Sequence, residues 1–324
     1  MQLYRTLFQQ SWLITKRHKL LWFFGFFALF FGGKGLDIEL FFTNAKLIGS
    51  HASPFQPTFW EQKNWTTVLD LFGWRASVLI ASLLLLGLLA LAVMMISQIG
   101  LVDAFGRYAR AKKSATIYTV DHALQATREH FFPVLGVNVL GRLVVYGLLA
   151  VVASPLFFGR YNTSHFTSTV VLFFVLMPIA VVVSLVVKYA VNFMVLKDYT
   201  FREALRSAWQ LFRRNIGLSI EMAVVMSMAF FVANVVGIVV GVLVTMPLLL
   251  LAMVSALLFQ SVAMVALYYF AVYFAIVVGL VVTAIIFSAW HFGNWTLLFL
   301  ELTKEDKRST IHRLFRGEKI TGIS

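Results

Sequence analysis

The sequence predicts an all-α membrane protein that crosses the bilayer six times. Hydrophobic residues make up 60% of its 324 residues and charged residues 13%, against about 45–50% and about 25% in soluble domains. Residues 216–300 contain no lysine or arginine and one acidic residue, Glu221. Because about 20 apolar residues suffice to span a bilayer, the chain is expected to be an integral membrane protein.

The apolar segments divide residues 1–303 into one transmembrane domain, followed by a basic tail at 304–324. The segment 34–75 is expected to be an external loop. The block 216–300 has basic flanks at both ends, so it crosses an even number of times. Two crossings leave 246–261 as an interfacial or re-entrant hairpin, and four crossings give an alternative of eight spans. We favour two, with spans at 20–33, 76–99, 134–153, 169–190, 216–244 and 268–300.

The distribution of basic residues predicts the orientation. If the N-terminus is cytoplasmic, 21 of the 27 lysines and arginines fall inside, 5 fall outside, and Arg142 lies within a span. Positive charge concentrates on the cytoplasmic side of membrane proteins. We therefore expect a multi-pass plasma (inner) membrane protein with both termini in the cytoplasm. Its net charge of +13 then indicates anionic lipid headgroups as partners, and not nucleic acid.

Three segments, starting at residues 3, 121 and 201, resemble copies of one unit. Each begins with an amphipathic stretch and turns into an apolar span that is followed by a returning span. This pattern predicts three helix pairs, each introduced by a cytoplasmic amphipathic helix that lies in the headgroup plane. The alternative is an ordinary helix packed on its own protein.

The third copy shows this pattern most clearly. Apolar residues recur from Phe201 to Phe212 at helical spacing, and Thr200 with Glu203 fits a capping box. The candidate membrane-surface residues of this helix combine one tryptophan with four arginines, namely Arg202, Arg206, Trp209, Arg213 and Arg214.

The segments "SWLITKRHKLLWFFGFF", "GLVDAFGRYARAKK", "VLKDYTFREALRSAWQLFRRNIG" and "WTLLFLEL" together resemble a family of bacterial multi-span membrane proteins. These are grouped with the membrane domain found beside glycerophosphoryl diester phosphodiesterases. The resemblance implies this topology only. The Glu and His clusters of the phosphodiesterase domain are absent here, so it carries no catalytic residue onto this chain.

No pattern of catalytic or metal-ligating residues stands out. The chain has no cysteine, and none of its seven histidines lies in a short metal-ligand spacing. No P-loop, GxGxxG or GxSxG motif is present. The sequence therefore predicts a protein that is not an enzyme and that uses no metal or cofactor.

Ionisable residues inside the apolar spans are the best candidates for a site, because burying a charge there costs at least about 2.5–3.5 kcal/mol. Arg142 lies in the third span and Glu221 in the fifth. Aligning the repeats places them at similar depth, so we expect a buried ion pair that either lines a polar path or fixes the helix register. Three intramembrane asparagines accompany it, namely Asn138, Asn192 and Asn234.

The sequence thus predicts a non-enzymatic membrane protein that organises lipid or protein partners at the cytoplasmic face. The alternative is a transporter or channel for a small or lipidic solute, with Arg142 and Glu221 in its polar path. Repeats and intramembrane polar residues are common in transporters. Gly237 and Gly241 form a GxxxG pattern that permits close helix packing, so a homo-oligomer remains open.

Overall fold

A computed structural model describes residues 2–28, 65–110, 118–158, 163–259 and 262–304 of the chain. In these ranges the backbone is helical apart from short connections. The eight helices are α1 (Gln2–Arg17), α2 (Leu20–Ala28), α3 (Trp65–Arg110), α4 (Val120–Phe158), α5 (Thr163–Lys197), α6 (Phe201–Arg214), α7 (Ile216–Phe259) and α8 (Val262–Lys304).

Five of these helices, α3, α4, α5, α7 and α8, are long and apolar enough to cross a membrane. Each contains one of the predicted spans and extends beyond it at both ends or at one end. The first predicted span, 20–33, is described only as far as Ala28, where α2 ends. The predicted external loop 34–75 is described only from Trp65, as part of α3. Residues 305–324 of the predicted tail lie outside the described residues.

The apolar block after residue 216 contains two long helices among the described residues. α7 continues without a break through Pro247 to Phe259, so residues 246–259 lengthen this helix and form no separate hairpin. α8 begins at Val262. At about 1.5 Å per residue, helices of this length extend well beyond a hydrocarbon core of about 30 Å.

The first and third repeats begin with separate short helices, α1 and α6. Their position in the headgroup plane on the cytoplasmic side stays a prediction. The second differs, because residues 120–158 form one helix and its amphipathic start is continuous with the span. The capping box at the start of α6 is confirmed. Glu203 Oε2 accepts hydrogen bonds from the Thr200 backbone N–H at 3.1 Å and from its hydroxyl at 2.8 Å. These bonds lower the pKa of the exposed Glu203 carboxyl.

The buried core occupies one end of the molecule, which we call the base. It is formed by α1, α2 and α6, the ends of α3 and α5, and the starts of α4 and α7. The C-terminal half of α8 runs between them, and its residues Asn294, Thr296, Leu298 and Phe299 are fully buried.

Away from the base the long helices separate into three arms. In the α3 arm, residues Leu83–Leu89 are exposed. α4 and α5 form a second arm with a small core of their own, built from Val145, Val152 and Ala180. α7 and α8 form the third, in which the rings of Phe230 and Phe287 lie 5.4 Å apart. Most apolar side chains beyond these contacts are exposed, as expected for surfaces that face lipid.

We predict that Gly293→Ala destabilises the base. A Cβ at Gly293 of α8 would overlap the Phe105 ring and the Ser11 hydroxyl, and overpacking of this kind typically costs about 1–3 kcal/mol. Gly147→Ala in the α4 arm is the matched control, because nothing lies within 4 Å of its Cβ position. Thermal unfolding in detergent should show a lower Tm for the first variant only. Equal Tm values would contradict close packing at Gly293.

Candidate functional site

The candidate site is a cluster of polar side chains inside the base, where α1, α5, α7 and α8 meet. We call it the polar junction. It contains two charged residues, two tyrosines and three residues that contact them, namely Tyr4, Lys188, Tyr189, Ser219, Glu221, His291 and Trp295.

On one side of the junction, α1 is attached to α7. The Tyr4 hydroxyl donates to Glu221 Oε2 at 2.5 Å. Burial raises the pKa of Tyr4, and the Glu221 carboxylate raises it further, so the phenol stays neutral and remains a donor. Further along α1, Ser11 donates to the Trp290 carbonyl at 3.1 Å. A short amphipathic helix therefore covers the polar groups of two long ones.

On the other side, Lys188 of α5 reaches α8. Its Nζ lies 3.4 Å from His291 Nε2 and 4.9 Å from the centre of the Trp295 ring. A lysine ammonium donates only, so Nε2 accepts and the proton of a neutral His291 ring lies on Nδ1. One turn after Lys188, the Asn192 amide donates to the Lys188 carbonyl at 2.8 Å. A cation over an indole ring is itself a favourable contact.

Tyr189 connects the two sides. Its hydroxyl lies 2.8 Å from Ser219 Oγ of α7, and its ring meets that of Trp295 edge-on with centres 6.2 Å apart. Six buried polar atoms around the junction have no hydrogen-bond partner within the described residues: Asn192 Oδ1, Ser288 Oγ, His291 Nδ1, Asn294 Oδ1, Trp295 Nε1 and Thr296 Oγ1. Such a concentration of donors and acceptors is suited to binding water or a polar ligand.

The structure places the predicted intramembrane residues at different positions. Asn138 is buried and donates to Gln98 Oε1 of α3 at 3.0 Å. Asn192 is buried beside the junction and donates to the Lys188 carbonyl, whereas Asn234 is exposed in the third arm and donates to its own helix. Arg142 is half-buried on α4. Its pairing with Glu221 stays a prediction.

The predicted membrane-surface helix, α6, buries one face and exposes the other. Ala204, Ala208 and Phe212 are buried against the base. Trp209 remains 46% exposed, and so does Trp12 of α1, at 48%. The four predicted arginines of α6 are all exposed. The helix thus packs on its own protein through two alanines and a phenylalanine and still presents a tryptophan and four arginines at the surface.

A second polar cluster lies where α2, α3 and α4 meet. The Tyr118 hydroxyl and the Arg107 Nε both bind the carboxylate of Asp103, at 3.0 Å and 2.9 Å. The Tyr108 hydroxyl accepts from the Tyr118 backbone N–H and lies 3.1 Å from His18 Nδ1, with the two rings stacked. Burial lowers the pKa of His18, and the neighbouring Arg17 charge lowers it further.

Three cavities accompany these clusters. An apolar one of about 430 Å³ lies between α5 and α7 and is lined by Val181, Ile220 and Ala223, among others. A larger apolar one of about 680 Å³ lies between α7 and α8. The third, of about 320 Å³, has a mainly polar lining at the ends of α3 and α5 and the start of α4. Neither Arg142 nor Glu221 lines any of the three.

Sequence reasoning missed several members of the polar junction. Lys188 lies near the end of the predicted fourth span, 169–190, but the sequence does not show that it contacts α8. Tyr4 and Tyr189 resemble any other aromatic residue in an apolar helix. One signal was available in the sequence. A lysine within an otherwise apolar segment is expected to contact polar groups, because an unpaired charge there is costly.

The described residues contain no group of three or more His, Asp and Glu side chains placed to hold a metal ion. No protein-family model, characterised protein or solved structure matches the chain. The resemblance to proteins with the phosphodiesterase-associated membrane domain stays a prediction.

We predict that Tyr4→Phe loosens α1. The substitution removes the donor to Glu221, and a hydrogen bond to a charged group typically contributes about 1.5–3 kcal/mol. Hydrogen exchange of residues 2–17 should therefore speed up. Tyr146→Phe serves as the control because Tyr146 is exposed on α4. If both variants exchange like the parent protein, the Tyr4–Glu221 bond does not hold α1 in place.

We also predict that the base loses stability as the pH falls below about 6.5, the ordinary His pKa. His18 has a lowered pKa in the folded protein, so the unfolded chain binds more protons in this range and stability rises with pH. The Tm should be higher at pH 7.5 than at pH 5.5. His18→Phe keeps the stacking on Tyr108 and should reduce this difference. An unchanged difference would exclude His18 as its source.

Proposed function

We propose that this protein is a non-enzymatic plasma membrane protein that organises lipids, and protein partners with them, at the cytoplasmic face. In this proposal the base lies at that face with both termini in the cytoplasm. The basic side chains of the base hold anionic headgroups, and the arms extend among the acyl chains.

The observation that carries the proposal is the pair of exposed tryptophans on two short helices of the base. Trp12 on α1 and Trp209 on α6 each follow a buried small residue, Ser11 and Ala208. Both helices end with exposed basic residues, Lys16 and Arg17 in α1 and Arg213 and Arg214 in α6. Indole rings favour the interface between water and lipid, and each lysine or arginine near an anionic surface contributes about 1 kcal/mol.

The arms support a lipid-organising role in a second way. Their exposed apolar side chains leave grooves between neighbouring helices, of which the cavity between α5 and α7 is one. Acyl chains fill such grooves more favourably than water does. The described cavities provide less support for transport through Arg142 and Glu221, because neither residue lines one of them.

The test replaces the four α6 arginines, Arg202, Arg206, Arg213 and Arg214, with glutamine. Affinity for phosphatidylglycerol, measured on the purified protein in detergent by lipid titration and native mass spectrometry, should fall at least tenfold. At about 1 kcal/mol per charge, four charges account for a larger loss than this.

The matched control replaces the same four arginines with lysine. It keeps the charge and should keep most of the affinity for phosphatidylglycerol. Unchanged affinity in the glutamine variant would refute the proposed role of α6. In proteoliposomes, solute flux that disappears in Glu221→Gln would instead favour the transporter.

A further inference from the structure

The polar cavity at the ends of α3 and α5 and the start of α4 shares no lining residue with the polar junction or with α6. We propose that it binds a zwitterionic headgroup with a phosphate and a primary ammonium, such as phosphoethanolamine. This inference goes beyond the proposed function and does not depend on the charges of α6.

The lining of this cavity is rich in charge and nearly balanced. Three of its residues are basic, Arg107, Arg110 and His130, and three are acidic, Asp103, Glu129 and Asp198. Two pairs form within the lining, Arg107 with Asp103 and His130 with Asp198. A zwitterion can add to both kinds of charge and keep this balance, whereas a simple anion or cation would upset it. The volume of about 320 Å³ equals roughly ten times the share of one water in the liquid, about 30 Å³, which is enough for a headgroup.

The α3 wall supplies the groups for a phosphate. The Arg107 Nε lies 2.9 Å from Asp103 Oδ2, and this ion pair orients the Arg107 guanidinium group. One turn later, Arg110 Nη2 donates to the Leu196 carbonyl at 3.1 Å, which fixes this side chain across the cavity towards α5. Two guanidinium groups three residues apart on one helix present their planar donors to the same space, and this suits a phosphate.

The opposite side supplies the groups for an ammonium. Glu129 and Gln125 are exposed and lie one turn apart on α4. Asp198, in the connection to α6, adds a second carboxylate that is 79% exposed. A primary ammonium can donate three hydrogen bonds, so two carboxylates and an amide oxygen match it, whereas a quaternary ammonium cannot donate to them.

His130 connects these two sides. Its Nδ1 lies 2.8 Å from the Ala126 carbonyl and its Nε2 lies 3.0 Å from Asp198 Oδ1. Both neighbours are acceptors, so a protonated ring nitrogen of His130 donates to one of them. Asp198 adopts a left-handed backbone conformation with φ 55°, which is uncommon for a residue other than glycine. The histidine thereby holds Asp198 at the cavity.

The position of the cavity is suited to a lipid headgroup. The candidate spans of α3 and α5 end at Arg110 and Lys197, next to the lining residues Arg110 and Leu196. The ends of membrane spans lie at the depth of the headgroups. A soluble phosphoamine has the same chemistry, and so the experiment includes both.

The experiment titrates the full-length protein in detergent with dioleoylphosphatidylethanolamine, with the phosphatidylcholine analogue and with soluble phosphoethanolamine. Binding is followed by native mass spectrometry and by the rise in Tm. We expect the ethanolamine lipid to bind at least tenfold more tightly than the choline lipid. Arg110→Gln and Glu129→Gln should each weaken it at least tenfold. Arg128→Gln, an exposed neighbour on α4 that does not line the cavity, should leave it unchanged.

Each outcome decides the proposal. Equal affinity for the two lipids, or an equal loss in Arg110→Gln and Arg128→Gln, overturns it. Binding of soluble phosphoethanolamine with the same dependence on Arg110 and Glu129 supports it and identifies the free compound as a ligand. The Tm of each variant without lipid identifies a folding defect, and Glu129, on the exposed surface, provides a second variant if Arg110→Gln unfolds. Phosphatidylglycerol binding that depends on α6 is measured separately, so the two proposals can fail independently.

Discussion

The packing of the C-terminal half of α8 in the middle of the base is the constraint on which the rest of the structure depends. This helix contacts α1, α2, α3, α5 and α7. Close approach is possible because the side chains at the contacts are small: a Cβ at Gly25 of α2 would lie 2.6 Å from the Ile285 carbonyl. Dense packing of this kind allows the helices few alternative registers against one another. The polar junction is therefore a property of the packed base, because its members come from four helices that only this arrangement brings together.

The same arrangement separates two kinds of surface. Polar side chains gather in and around the base, where they satisfy one another or reach the surface, while the arms present almost continuous apolar faces. In hydrocarbon, an unsatisfied polar group is costly, so helices in this region satisfy their backbone internally and expose apolar side chains. The shape of the molecule follows from this division: most charged side chains of the described residues lie at one end, and the apolar surfaces of the arms extend from it.

The sequence predicted the class of fold because the length and composition of apolar segments are sufficient evidence for membrane helices. It also predicted the Thr200–Glu203 capping box, which depends on neighbours in the chain. It did not predict that Lys188 meets His291, because that contact joins residues 103 positions apart and depends on the register of α5 against α8. The sequence also did not predict that the second repeat lacks a separate short helix. Residues 120–158 form one uninterrupted helix, although the amphipathic pattern resembles that of the other two repeats.

The arms are attached to the rest of the molecule mainly at the base. Within the described residues, α4 and α5 hold each other through Val145, Val152 and Ala180, but their other large contacts lie at the base. An arm anchored at one end acts as a lever about its anchor. A change in bilayer thickness or lateral pressure tilts long helices, and such a tilt would be transmitted to Gly141, which packs on Val187 just above the junction. Through this contact, the tilt of the α4–α5 arm is coupled to the packing of the base.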